Sequence, residues 1–510
     1  MQPGGPRPRH RGVLAVWLAL VTVPASAQVT LLTGQSLLSQ SASRYPGNHL
    51  AVDAGLIYTD NVQRTENGTG QTLLLLGLSG DTSREGTRLD YRLASNIALL
   101  KYLGGAYGNQ PTGYLDGTLF FKFVPNFFTW IVRETYTQLQ INPYAAVTPD
   151  NLENVNYITT GPRFTIRPTL RTSVTLDALY SYLTTSSSAP DRVSLDNHRY
   201  GGDLKIDRAF SEAASLYIKG EYEKVDFKDQ VDNNNFAHAS ASAGYKLHDA
   251  RTVLDISGGY SQVRVYDVLT AVVGPGGSRE TRQTEKFDTP IWTFDLSRLI
   301  TPSQRVALTA SQQFTDAAAA FRLGFDQAVP TIPPQRLANG EAFKQRQFGL
   351  HWQFQASRTS VIVAVTEFQE RYVMTTANDR DTKLADVLLT RQLSPALSGE
   401  VGVSYQHQEQ VGAASSIGGT PTSAGQSAKI LSAVANLRWQ VGERLAVHFL
   451  YAHSRQNGVY SDNQIGVTAS WALIGAQTPM GQPFPALTPL SPASTQAPYQ
   501  PTGLTPSPRD

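Results

Sequence analysis

Between residues 49 and 474 apolar and polar positions repeatedly alternate with a period of two. In 171–184, Val174, Leu176, Ala178, Tyr180 and Tyr182 share one parity, and Ser173, Thr175, Asp177 and Ser181 the other. Leu254, Ile256, Gly258 and Tyr260 oppose Asp255, Ser257, Gly259 and Ser261, while Leu216, Ile218, Gly220 and Tyr222 oppose Ser215, Lys219, Glu221 and Glu223. The pattern returns with Val401, Val403 and Tyr405 against Glu400, Gly402 and Ser404, and with Leu445, Val447, Phe449 and Tyr451 against Ala446, His448 and Ala452. Successive residues of a strand point to opposite faces, so each segment reads as a strand with one oily and one wet face.

The connections follow a rule of their own. Short polar turns stand near Pro125-Asn126, Pro168-Thr169, Ser211-Glu212, His248-Asp249-Ala250, Thr301-Pro302-Ser303, Ala356-Ser357-Arg358, Pro395-Ala396 and Gly442-Glu443. Between them lie longer Asn/Asp/Gly/Ser/Pro-rich stretches at 141–152, 185–196, 226–234, 267–281, 316–340 and 412–426. Alternating short and long connections predict antiparallel hairpins, tight at one end and looped at the other. The fold class expected is all-β: a transmembrane, antiparallel, up-and-down β-barrel of about 18–20 strands, because in hydrocarbon a period-two chain satisfies its backbone only by closing. An even count puts both chain ends on the short-turn, periplasmic side.

The flanks differ. Arg7, Arg9 and Arg11 precede an apolar stretch from Val13 to Val23 and the small triplet Ala25-Ser26-Ala27. This build predicts a signal peptide over 1–27, cleaved between Ala27 and Gln28. Residues 28–48 read as a short periplasmic segment, 49–474 as the barrel, and 475–510 as a disordered Pro-rich tail. The expected address is the outer membrane of a Gram-negative cell.

Composition narrows the chemistry. The chain holds 510 residues and no Cys, which removes thiolate metal sites, cysteine nucleophiles and disulfides. A net charge of +2 without a basic stripe argues against nucleic acid as a partner. The histidines lack metal-ligand spacing, and no P-loop, dinucleotide fingerprint or zinc motif is present, so neither cofactor nor metal is expected. The acidic runs 232–235 and 378–381 read as solvated loop tips rather than Ca²⁺ sites. A hydrolase site at the barrel rim would need a Ser/His/Asp set that nothing singles out, and the chain is read as a non-enzyme.

The wet parity is then the functional surface. Asp177, Lys219, Glu221, Glu223, Asp255, Arg305 and Glu400 are expected to face the lumen, together with Thr309, Ser404 and Gln406. They mix both charges with hydroxyls and amides, which suits water and neutral or weakly charged solutes. On the oily parity, Tyr180, Tyr182, Tyr222, Tyr260, Tyr405 and Tyr451 lie well past short turns and form a candidate aromatic girdle at one lipid interface. Trp130, Trp292, Trp352 and Trp471 are candidates for the opposite girdle.

The strand end Gly55-Leu56-Ile57-Tyr58-Thr59-Asp60-Asn61, with the turn-to-strand phrases Pro168-Thr169-Leu170-Arg171-Thr172-Ser173-Val174 and Leu397-Ser398-Gly399-Glu400-Val401-Gly402-Val403-Ser404-Tyr405, resembles bacterial outer-membrane barrels of the β-barrel porin type 2 group. The resemblance runs from about Leu50 to Leu473. Such proteins are often encoded with exopolysaccharide or exosortase-associated systems, and the resemblance implies a channel passing secreted polysaccharide. Its implied partners are outer-membrane lipid, polysaccharide and periplasmic export components. The alternatives are a general solute-diffusion porin and a non-conducting structural or adhesive surface barrel. The Pro-rich tail departs from the usual aromatic C-terminus and is a candidate docking segment for a periplasmic partner.

Overall fold

The computed structural model describes residues 48–187, 194–229, 233–274, 277–317, 319–320, 340–412 and 425–474. The expected signal peptide, its cleavage site, the N-terminal segment up to residue 47 and the Pro-rich tail lie outside them. Twenty strands follow one another: β1 His49–Thr59, β2 Gln71–Arg84, β3 Leu89–Tyr102, β4 Gln110–Val124, β5 Phe128–Gln140, β6 Leu152–Thr169, β7 Thr172–Ser187, β8 Asn197–Ala209, β9 Ala214–Phe227 and β10 Phe236–His248. Then come β11 Thr252–Gly274, β12 Gly277–Thr301, β13 Gln304–Asp316, β14 Ala342–Gln355, β15 Thr359–Tyr372, β16 Arg380–Ser394, β17 Leu397–Gln410, β18 Ser427–Gln440, β19 Leu445–Gln456 and β20 Tyr460–Ile474.

Each strand pairs antiparallel with its neighbours in sequence, and β1 closes on β20 through pairs such as Ile57↔Gly466. The ring is therefore an all-β, closed, up-and-down barrel. Its tight turns fall where Pro, Asn and Ser–Glu pairs predict them; Asn126 takes the left-handed backbone (φ 63°) that the turn between β4 and β5 demands and that Asn tolerates. One connection differs from expectation. The stretch 267–281 is not a long loop, because β11 and β12 run on as a ladder to Gly274↔Gly277. Its Val268-Leu269-Thr270-Ala271-Val272-Val273 run suits strand rather than coil.

The two parities have different surroundings. Leu56 and Tyr58 are 54% and 50% exposed, whereas Ile57 and Thr59 between them and beyond are 0% and 3%. Leucine, isoleucine, valine and aromatic side chains stand outward on strand after strand, among them Leu176, Leu204, Ile218, Leu350, Val403 and Val467. A water-soluble protein does not display a continuous apolar belt of this kind. With every neighbouring strand paired, the wall also satisfies the condition for crossing hydrocarbon.

Two ladders stop short of their strands. The β4–β5 ladder ends at Leu115↔Tyr136, although β4 begins at Gln110 and β5 ends at Gln140. The β12–β13 ladder ends at Trp292↔Gln312, leaving Gln313–Asp316 of β13 beside no β12 partner while they stay paired to β14 as far as Asp316↔Ala342. Pro290 sits two residues beyond that last pair, and a proline, lacking an N–H, marks a strand edge.

Placing a charge on the outer parity should disrupt the wall. Leu176→Arg, on the outer parity four residues before Tyr180, is expected to cost about 2–4 kcal/mol in reversible urea unfolding from lipid bilayers. Ser173→Arg, inward and opposite Asp207 in the ladder, is expected to shift the same curve by less than about 1 kcal/mol.

Candidate functional site

Along β9 the inward face is graded from the short turn to the loop end. On β9, the inward residues Ser215, Tyr217, Lys219, Glu221 and Glu223 near the short-turn end are half-buried, and Val225 and Phe227 near the loop end are buried. The same ends of β1, β2 and β3 bring Ile57, Leu73 and Leu100 into one apolar cluster with the mid-strand Val434 of β18 and Leu450 of β19. Only side chains packed across the mouth can shield wall residues so completely.

Val62 and Tyr107, from the loops after β1 and β3, pack against that cluster, and loop 141–151, between β5 and β6, crosses the mouth beside them. It is tied to itself: Asn142 N–H donates to Asn151 Oδ1 at 2.8 Å, and Asn151 Nδ2 donates back to the Asn142 and Ala146 carbonyls, both at 2.9 Å. It is also tied across the mouth. Arg64, in the β1–β2 loop, donates through Nη1 to Val147 O at 2.9 Å and through Nε to Asp462 Oδ2 at 3.2 Å, with its guanidinium 5.5 Å from the Tyr460 ring centre. Gln456 Nε2 of β19 donates to Tyr144 O at 2.6 Å. Burial pushes the Tyr144 phenol up to about 12, and the charges of Arg380, Glu370 and Asp381 on β15 and β16 also reach it. One short segment therefore touches groups on both β19–β20 and the β1–β2 loop and lies within electrostatic reach of β15–β16.

A second closure runs from β8 to β13. Arg199, 1% exposed, donates Nη1 and Nη2 to the two oxygens of Asp316 at 2.8 Å each, and lies 3.3 Å from Glu223. Five strand intervals separate these partners along the wall, so the end of β13 bends inward. Phe314 consequently joins Val225, Phe227, Phe236, Val263 and Val265 on the inner face of β9–β11. Below this bridge lies a cavity of about 120 Å³, bordered by Lys205, Tyr217, Lys246, Asp255 and the half-buried Lys219–Glu221 ion pair.

Asp177, Asp255, Arg305 and Glu400 are buried on the inner parity. Asp177 binds Arg163 in a fork at 2.7 and 2.5 Å, Asp255 accepts from Tyr217 Oη at 2.8 Å, and Glu400 accepts from Thr390 Oγ1 at 3.2 Å. Tyr180, Tyr222, Tyr260, Tyr405 and Tyr451 stand exposed on the outer parity. Tyr182 shares that parity but is half-buried, stacked on His198 at 4.9 Å with Lys228 Nζ over its ring. Trp292 does not belong to the opposite girdle. It pairs with Gly258, two residues from Tyr260, and so lies at the tyrosine level. The acidic runs are not simple solvated tips either: Asn233 is buried against Ser194 O and Asp229 O, and Arg380 is buried in an ion pair with Glu370.

Sequence reasoning missed Arg64, Arg199, Asp316 and loop 141–151. Their partners are 117 residues apart for Arg199–Asp316 and 398 for Arg64–Asp462, beyond any local periodicity. The paired Asn142 and Asn151 were the available signal for an ordered loop. His238 Nε2 and Ser261 Oγ lie 2.7 Å apart, but Ser261 is 1% exposed and also 3.3 Å from Ala239 O, which fits a wall cross-link rather than a nucleophile. Among the described residues no group of three His, Asp or Glu forms a metal cage.

No protein-family model matches the sequence, and no curated protein matches it. Among solved structures, the ferric citrate transporter FecA in its unliganded form shares 9% identity over 84% of this chain and 79% of its own, with a TM-score of 0.43. The ferric yersiniabactin uptake receptor FyuA from Yersinia pestis shares 10% over 84% and 81%, TM-score 0.40. The FrpB iron transporter from Neisseria meningitidis shares 10% over 85% and 84%, TM-score 0.43. The class itself follows from the closed ring and its oily exterior: the chain is an outer-membrane β-barrel of 20 strands.

Asp316→Ala strands the buried Arg199 charge and is expected to cost about 3 kcal/mol, the low end for breaking a buried pair because Glu223 remains. The Arg199→Met/Asp316→Leu double variant should recover most of it; the urea midpoint in bilayers measures both. Glu341, just before β14, accepts the Thr375 N–H at 2.7 Å and the Met374 N–H. Burial raises its pKa, against the pull of those two donors. The folded state then binds this proton more tightly than the unfolded chain. Its contribution is most favourable at low pH and declines as pH rises from the ordinary carboxylate value through the raised one. Glu341→Gln should flatten that slope in unfolding curves taken from pH 4 to 8.

Proposed function

We propose that this barrel is a gated outer-membrane channel for hydroxyl-rich, weakly charged material, with secreted polysaccharide as its cargo. The observation that carries the reading is loop 141–151 lying across the mouth over a polar interior whose charges are already neutralised in pairs. Arg163–Asp177, Lys219–Glu221, Lys246–Asp255 and Arg199–Asp316 leave little net field along the wall. A strongly charged solute gains nothing there, whereas a neutral glycan exchanges water for amide, hydroxyl and carboxylate contacts along the way. A ring of this strand number has room for an aqueous path once its mouth is clear. The resemblance to the β-barrel porin type 2 group supports polysaccharide over small solutes, and the Pro-rich tail is assigned to docking of a periplasmic export component. The interior is assigned no cofactor and no catalytic group.

In planar bilayers the native protein is expected to show rare openings, and Arg64→Ala, which frees Val147 O and Asp462 from their shared donor, should raise the open fraction at least several-fold. Conductance absent from both would remove the channel reading. A deletion strain should retain intracellular polymer and lose it from the surface. Unchanged secretion alongside a conducting barrel would leave a general porin.

A further inference from the structure

Among the described residues, the barrel wall is open on the loop side between β12 and β13. Above Trp292↔Gln312 the backbone ladder is absent, and β13 turns inward to clasp β8 through Asp316. The four residues Gln313–Asp316 correspond to a gap roughly 13 Å tall at about 3.3 Å per residue. A single side chain spans its lower edge: Gln312 Nε2 donates to Pro290 O at 2.6 Å and to Thr289 Oγ1 at 3.2 Å, while Arg346 Nε donates to Gln312 Oε1. The proline carbonyl thus receives from an amide side chain where a strand would have supplied a backbone N–H.

The cavity beneath the Arg199–Asp316 bridge reaches this gap. Its border includes the inward Glu221 and Thr293, the buried Gln312, and Trp292 on the outward parity of β12. The cavity therefore reaches the wall at Trp292, the outward residue of the last ladder pair. On the outside, the Trp292 ring lies 6.1 Å from that of the exposed Phe348, forming an aromatic lip. The height is defined by Tyr260, which pairs with Pro290, so the lip stands at the level of the exposed tyrosines rather than at mid-membrane.

We infer that this seam is a lateral portal that admits a single-chain amphiphile, its acyl chain held between the Trp292/Phe348 lip and Phe314 and its head in the cavity. The head is uncharged and hydroxyl-rich. Every cation bordering the cavity already holds a carboxylate: Lys205 with Asp207 at 3.2 Å, Lys246 with Asp255 at 3.3 Å, and Lys219 with Glu221. Arg199 above them is likewise engaged by Asp316 and Glu223. An ionic head would have to break such a pair, and a sugar head would not. The inference needs the barrel to sit in a bilayer and does not need the lumen to conduct.

The absence of cysteine makes the seam directly measurable. In nanodiscs, Phe294→Cys/Ala310→Cys, a paired position of the ladder, should oxidise to a disulfide, whereas Pro290→Cys/Phe314→Cys, the pair that a continued ladder would create, should stay reduced. Equal oxidation of the two would mean a closed wall and overturn the portal. For the ligand, a dodecyl maltoside carrying a diazirine in its alkyl chain should label 289–292 and 312–316. Excess unlabelled dodecyl maltoside should suppress that labelling at least tenfold, and maltose or dodecanoate should not. Equal suppression by dodecanoate would overturn the uncharged head. Labelling spread evenly over outward residues such as Leu308 and Leu350, with none at the seam, would overturn the site. Gln312→Ala, which removes the bridging amide, should increase seam labelling, and the retained heat-shifted gel mobility of the barrel would show that the variant is folded.

Discussion

Everything in this molecule answers to the cost of an unpaired peptide group in hydrocarbon. A strand placed in oil has no water to fall back on, and each orphan N–H or C=O costs several kcal/mol. Twenty strands meet that demand by pairing each with its neighbours and by joining the last to the first. The outward side chains are then free to be as oily as the lipid requires, and the inward ones are released from any structural duty to be apolar. Where β12 and β13 part, the same rule still holds: Gln312 supplies the Pro290 carbonyl with a donor, and the rest of β13 keeps its ladder with β14.

Inside, the rule changes from backbone to side chain. Three arginines, Arg64, Arg199 and Arg380, are almost wholly buried, each beside a carboxylate. Buried ion pairs are a weak source of net stability but a strong source of uniqueness in geometry, since a displaced partner leaves a charge without water. Their positions toward the loop ends of the strands tie side chains together across the outer half of the lumen.

Much of the wall was legible in the chain. The parity of Leu176 against Asp177, or of Tyr222 against Glu223, is a local property, and local properties survive in sequence. The turns at Pro125-Asn126 and Pro395-Ala396 are legible for the same reason, because proline and asparagine carry their backbone preferences with them. The mouth was not legible. Arg199 and Asp316 meet only because β13 bends, and nothing within a few residues of either reports on the other. Loop 141–151 looked like any Asn- and Pro-containing connection, and its path across the lumen is decided by Arg64 and Gln456, at opposite ends of the chain. Pro290 is the instructive case: a proline inside an otherwise regular alternating strand was a visible irregularity, and it marks the place where the wall opens.

The reciprocal bonds between Asn142 and Asn151 have a mechanical meaning. A segment cross-braced at its base holds together as one piece, so its place over the lumen rests on its outer tethers. If the barrel conducts as proposed, the contacts of Arg64 and Gln456 with this segment, rather than the width of the ring, set when the mouth clears.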